Sequence, residues 1–258
     1  MVQVIALAAL VVFLYMSAVF LLALARKNNG VVDIAWGLGF ILAGAAVFAG
    51  FGNGGARQWL ALALVLAWGG RLAWHIFRRN RGREEDFRYA AWRRQWGKFF
   101  IVRSYFQIFM LQGLLLLLVI APVLLIVGQE QARLNLLDGM GVLAWLTGYL
   151  FETVGDRQLA AFMKEPANRG KLMTGGLWKY TRHPNYFGEA AMWWGMAVLA
   201  LSAPDGWLGL VGPLVITILL LFVSGVPLLE KKYRGRPDWD EYKKHTPSFF
   251  PWFPKKSK

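Results

Sequence analysis

The chain contains no cysteine among its 258 residues. Disulfides, thiolate metal sites and cysteine nucleophiles are excluded at once, and thiols cannot report the redox compartment. Histidine is nearly as scarce. His75, His183 and His245 lie in separate segments, without the i, i+4 spacing with which helices hold zinc, so no metal site is expected. Charge is thin as well: Asp, Glu, Lys and Arg make up 17% of the chain, too little for an ordinary soluble domain of this length. Pro, Gly and Ser never gather into a stretch long enough to separate domains, and no internal repeat occurs. The expectation is one domain over residues 1–258.

Apolar residues fill the space that charge leaves, at 57% of the chain with a mean hydropathy of +0.40. A spanning helix needs about 20 mostly apolar residues. Windows of that kind fall at 3–25, 31–50, 57–77, 104–127, 139–163, 186–203 and 206–229. The fold class expected is therefore all-α, a polytopic membrane protein with seven transmembrane helices. The 13 Trp and 8 Tyr suit a chain with many membrane interfaces. The first apolar run lacks a basic leader and a small-residue cleavage site, so it reads as a retained helix.

The basic residues set the orientation expected of those helices. With the N-terminus outside and the C-terminus cytoplasmic, segments 26–30, 78–103, 164–185 and 230–258 face inward and hold 25 of the 29 Lys and Arg. The net charge of +14 then needs no nucleic acid to explain it. Basic loops beside anionic lipid suffice, and the terminal KKSK reads as a solvated end.

In this orientation the ionisable residues of the helices share one depth. Asp33 opens the second helix, Arg71 and His75 lie one turn apart in the third, Glu152 and Asp156 do likewise in the fifth, and Asn185 and Glu189 open the sixth. Charges in hydrocarbon are costly unless they meet a partner or a cavity. Pairing of Asp33, Glu152, Asp156 and Glu189 with Arg71, Arg157 and Arg182 accounts for any one residue as well as a functional role does. For the whole set a polar cavity open to the cytosol is the better account. Basic stretches at its mouth, NRGREEDFRY at 80–89 and KEPANRGK at 164–171, favour an anionic ligand.

LWKYTRHPNYFGE at 177–189 resembles the signature of the steroid 5α-reductase family, which is related to the sterol C14 reductases. The likeness extends to Asp156 in WLTGYLFETVGD, to NRGR at 80–83 and to the close EYKKHTPSFFPWFP, and is similar to the bacterial branch. Members are membrane enzymes that reduce carbon–carbon double bonds with NADPH. The resemblance implies that Asn185, Glu189 and Asp156 contact the cofactor, with Tyr180, Arg182 and His183 of the same signature. Lys164, Lys171, Arg83 and Arg71 become candidates for its phosphates, and Tyr233 matches a C-terminal Tyr. Glu152 stands where an Asn is more usual. For the acid, the resemblance implies a Glu early in the chain and a Tyr before NRGR. The second helix offers Asp33 and the third offers Trp68, Trp74 and His75, so Asp33 is taken as the catalytic residue.

Reduction of an enone builds negative charge on its ketone oxygen, where a hydrogen-bond donor must stand. A desolvated carboxyl can serve, while the nicotinamide transfers hydride. The expected substrate is an apolar enone lipid, a 3-oxo-Δ4 steroid or a similar sterol-like molecule, reached through membrane lipid. The expected location is a bacterial inner membrane, with the endoplasmic reticulum as the alternative.

Other readings compete. RHPNY also resembles the core of isoprenylcysteine carboxyl methyltransferases, which bind S-adenosylmethionine, but that donor has no phosphates for the Lys and Arg to meet. A transporter would want polar groups through the full membrane depth. GFGNGG at 50–55 fits a dinucleotide-binding glycine pattern without the βαβ unit that gives the pattern meaning. His183 before Pro184 could simply begin the sixth helix, and Asn185 could cap it.

Overall fold

The structure is a computed structural model that describes residues 1–129 and 133–254; the terminal KKSK lies outside the described residues. Among the described residues there are helices and no strands. By Cα proximity the chain divides into two compact units, Met1–Asn135 with Leu199–Val211, and Leu136–Val198 with Gly212–Lys258. The absence of a linker in the sequence does not announce this division.

The first unit opens with three long helices, α1 (Val2–Arg26), α2 (Val31–Phe51) and α3 (Ala56–Asn80). No Pro interrupts α1, and Val4, Ala8, Val12, Met16, Val19 and Ala23 form a stripe at helical spacing that is buried. Lys27 closes α1 in the left-handed conformation, φ 50°. GFGNGG forms the turn between α2 and α3, as a short loop between helices. Those two helices touch backbone to backbone, since a Cβ at Gly37 would lie 2.5 Å from the Gly69 carbonyl oxygen.

Beyond α3 come α4 (Phe87–Trp96), α5 (Phe100–Ser104), a π-helical turn (Tyr105–Met110), α6 (Leu111–Val119) and α7 (Ala121–Val127). The sequence window at 104–127 thus begins late and runs too far. FRYAAWRRQW is polar but rich in good helix formers, so helix starts at Phe87 with Asp86 as its cap. Pro122 sits in the first turn of α7, where it cannot continue the preceding ladder.

The second unit contains α8 (Leu136–Lys164), most of α9 (Pro184–Ala200), then α10 (Val211–Ile218), α11 (Val226–Lys231) and α12 (Pro237–His245). Glycines seven apart on α8 meet glycines seven apart on α9. A Cβ at Gly148 would be 2.4 Å from the Gly188 carbonyl oxygen, and one at Gly195 would be 2.6 Å from that of Gly141. Gly155 completes the seam against Pro184. Small residues let helices approach this closely where lipid surrounds them.

Among the described residues five helical stretches are long and apolar enough to cross a membrane: Val2–Arg26, Val31–Phe51, Ala56–Asn80, Phe87–Val119 and Gly206–Lys231. This is the architecture of an integral membrane protein. Seven spans were expected. The remaining two windows are α8, which carries Asp138, Glu152, Asp156 and Arg157, and α9, which has 17 residues.

Candidate functional site

Pro184 opens α9, a position its fixed φ favours, and so brings Asn185 into the first turn. The Asn185 side chain does not cap the helix; its Nδ2 donates to Asp156 Oδ1 of α8 at 3.3 Å. Its Oδ1 is buried without a hydrogen-bond partner, as is Oγ1 of Thr153, one turn from Asp156. Glu152 and Asp156, spaced i, i+4, are both buried on α8.

Immediately upstream, Arg182 and His183 converge on Glu230. Arg182 Nη2 lies 2.8 Å from Glu230 Oε1 and His183 Nε2 lies 3.2 Å from the same oxygen. The His183 ring stacks on Tyr186 with centroids 5.5 Å apart, and its Nδ1 is buried with no partner. The Arg182 guanidinium sits 5.6 Å over Trp239, which in turn stacks on Tyr233.

The C-terminal segment 246–252 is laid along residues 178–182 as a strap. Arg182 donates its backbone N–H to Pro247 O at 2.9 Å and Nη1 to Thr246 O at 2.6 Å. Thr181 Oγ1 donates to Phe249 O at 2.8 Å, and the Trp252 N–H donates to Tyr180 O at 2.9 Å. The Tyr242 hydroxyl of α12 donates to Trp178 O, and burial pushes that phenol above its ordinary range. Trp178 Nε1 closes the circuit by donating to Gly155 O at 3.1 Å.

In the first unit Asp33 is likewise surrounded. The Tyr89 hydroxyl donates to its Oδ1 at 2.7 Å, and Arg88 Nη2 lies 3.5 Å from Oδ2. Arg88 also pairs with Asp86 at 2.8 Å. Next to them Glu85 accepts the Asn29 backbone N–H at 2.7 Å and holds Arg93 at 2.8 Å. The EEDFRY stretch therefore ties the start of α2 to the start of α4.

A family model described as a protein of unknown function, DUF1295, matches residues 19–246. The chain belongs to that family. No curated protein and no solved structure matches it.

The matched DUF1295 region spans both clusters, from Asp33 to Glu230. Within the second unit the structure joins Asp156 to Asn185, and links Arg182 and His183 through Glu230, with Tyr233 two rings away. Glu189 is half-buried one turn beyond Asn185. Lys164 and Lys171 are exposed at the two ends of the 164–171 stretch, whose Gly170 carbonyl is held by Arg236 at 2.7 Å. Tyr180 is on the surface, edge-on to Phe253. Arg71 of α3 and exposed Arg83 belong with Asp33 to the first unit. Among the described residues no group of three or more His, Asp or Glu could hold a metal.

Sequence reasoning missed Tyr89, Arg88 and Glu230. Tyr89 lies inside a stretch read as a basic loop, and its contact with Asp33 crosses 56 positions. Glu230 stands at the end of an apolar run, where a lone acid gives no hint that Arg182 and His183 will seek it.

Proposed function

We propose that this DUF1295 protein is a membrane reductase that uses NADPH to saturate the carbon–carbon double bond of an enone lipid, with a 3-oxo-Δ4 steroid as its substrate class. Asn185 carries the reading. It stands in the stretch that resembles the reductase signature, beside Asp156, with hydrogen-bonding capacity at Oδ1 that the fold leaves unused. A buried polar group normally finds a partner, and one left over is suited to a ligand.

The residues fit NADPH. Asp156 and Asn185 would hold its hydroxyl and amide groups, His183 Nδ1 offers a further contact, and exposed Lys164 and Lys171 would meet its phosphates. Glu189, Tyr180 and Tyr233 are assigned to the same cofactor. Arg182 is engaged by Glu230, so its role is to hold the loop. When bound, NADPH supplies the hydride. The chain contributes position and a proton. In the first unit the Tyr89 hydroxyl donates to Asp33 Oδ1, and a protonated Asp33 would be the group that donates to the developing oxyanion. Arg88 steadies that carboxyl.

The orientation proposed is N-terminus out and C-terminus in the cytoplasm; if all seven apolar windows span, it would put 25 of 29 basic residues on the inner side. A bacterial inner membrane is the proposed location.

The test uses detergent-purified protein, NADPH and a 3-oxo-Δ4 steroid, with nicotinamide absorbance as readout. Steroid-dependent oxidation is expected, with loss of cofactor binding in Glu189→Ala and loss of turnover in Asp33→Asn. NADPH bound but not consumed would overturn the substrate class. Binding of S-adenosylmethionine in its place would replace the reductase by a methyltransferase.

A further inference from the structure

The second unit contains a cavity of about 460 Å³ on the side of α9 away from Asn185 and Glu189. Its walls are Leu143 and Ala144 of α8, Phe187 and Ala191 of α9, and Phe249 and Phe250 of the C-terminal strap. Lining positions 187, 190, 191 and 194 follow the i, i+3, i+4, i+7 rule for one helix face. Asn185 and Glu189 fall on the other.

No wall residue carries a charge. The polar groups present are engaged, since Thr147 Oγ1 donates to Leu143 O at 2.9 Å and Trp194 Nε1 donates to Thr217 Oγ1 at 3.2 Å. A ligand therefore meets hydrocarbon and aromatic rings with no charged group to orient it. Small-molecule sites of this size usually place a few polar groups for orientation, and a sterol hydroxyl or a ketone would ask for one. An acyl chain asks for none.

The surroundings match a lipid tail. Thr217 belongs to Gly206–Lys231, a stretch apolar enough to cross a membrane. Beside the cavity the strap leaves Phe250, Trp252 and Phe253 70%, 73% and 75% exposed, the aromatic dressing of a headgroup level. We propose that this cavity is a binding site for one acyl chain of a bilayer phospholipid, seated between α8, α9 and the strap. The proposal does not rest on the reductase reading, because it uses neither the polar face of α9 nor Asp33.

Photolabelling tests it. The full-length protein is placed in nanodiscs doped with a phosphatidylcholine that bears a diazirine at its chain end, and labelled peptides are mapped by mass spectrometry. Label is expected within 187–194 and 247–252 in excess of that on lipid-facing α1, because a seated chain holds its diazirine against the same walls. Ala191→Phe, which fills the cavity, is expected to cut that labelling by about tenfold and to leave label on exposed Phe13 and Leu14 of α1 unchanged. Ala144→Leu serves as a second filling variant, and the comparison with α1 on wild type needs no variant. Label within 187–194 and 247–252 no greater than on α1, or unchanged by both filling variants, would overturn the proposal. So would displacement by a 3-oxo-Δ4 steroid but not by unlabelled phosphatidylcholine, which would hand the cavity to a substrate.

Discussion

Arg182 reaches Glu230 across 48 positions of sequence and shares its Oε1 with the neighbouring His183. Both Arg182 and Glu230 are mostly buried, at 10% and 21% side-chain exposure. Removing one partner strands the other charge, so Glu230→Ala should cost about 3 kcal/mol. Thermal unfolding in detergent is the check. Arg182→Met combined with Glu230→Leu should recover some of the loss, since neither charge is then stranded. An unchanged midpoint in Glu230→Ala would show that the pair contributes nothing.

Gly188→Ala probes the seam between α8 and α9. Its new methyl would lie 2.5 Å from both Glu152 N and Gly148 O, and backbone cannot give way as a side-chain tip can. A loss of about 1–3 kcal/mol is expected from overpacking. Gly139→Ala, on α8, meets nothing within 4 Å, and should be neutral or stabilising by up to about 1 kcal/mol. Equal effects at the two sites would deny the seam.

Asp86 makes an acid-limb prediction. Partial burial would raise its pKa, but hydrogen bonds from the Arg88 side chain and backbone outweigh that and hold it below the usual carboxylate range. Its stabilisation is therefore complete above the unfolded value of about 3.9 and is lost as pH falls through the lower folded value. Asp86→Asn keeps the helix cap and removes the titration, so hydrogen exchange at the start of α4 should lose this acid dependence. Asp86→Ala should cost about 1 kcal/mol at neutral pH.

Tyr89→Phe removes the hydroxyl that donates to Asp33. A buried carboxyl oxygen left without its donor implies a loss of about 1–3 kcal/mol in stability. On the reductase reading, turnover should also fall by about 10²-fold or more with NADPH affinity unchanged. Stability and turnover are measured on the same preparation. Full turnover in Tyr89→Phe would remove this pair from the chemistry.

The long apolar helices were readable because hydropathy is a sum over many residues. The windows at 3–25, 31–50 and 57–77 correspond to Val2–Arg26, Val31–Phe51 and Ala56–Asn80. Asn185 beside Asp156 could be anticipated only from resemblance, and their contact is a tertiary fact. Tyr89 on Asp33 and Glu230 on Arg182 were hidden for a physical reason: a hydrogen bond depends on which surfaces meet, and a string of residues does not state it. Gly141, Gly148 and Gly155 are different. Their spacing of seven is written in the sequence, yet it names no partner until α9 is laid against α8. The helix at 87–96 escaped because its polar composition carries no membrane signal, although its residues favour helix.

The strap over residues 178–182 also bears on the order of events during synthesis. Chains emerge from the N-terminus onward, so the Arg182 backbone N–H waits for a carbonyl 65 positions downstream, and Thr181 waits for Phe249. The loop that leads into α9 cannot reach its final hydrogen bonding when α9 itself is made. It is finished among the last regions of the molecule, so a ribosome stalled near residue 240 should present a nascent chain with α8 and α9 formed and this loop still open.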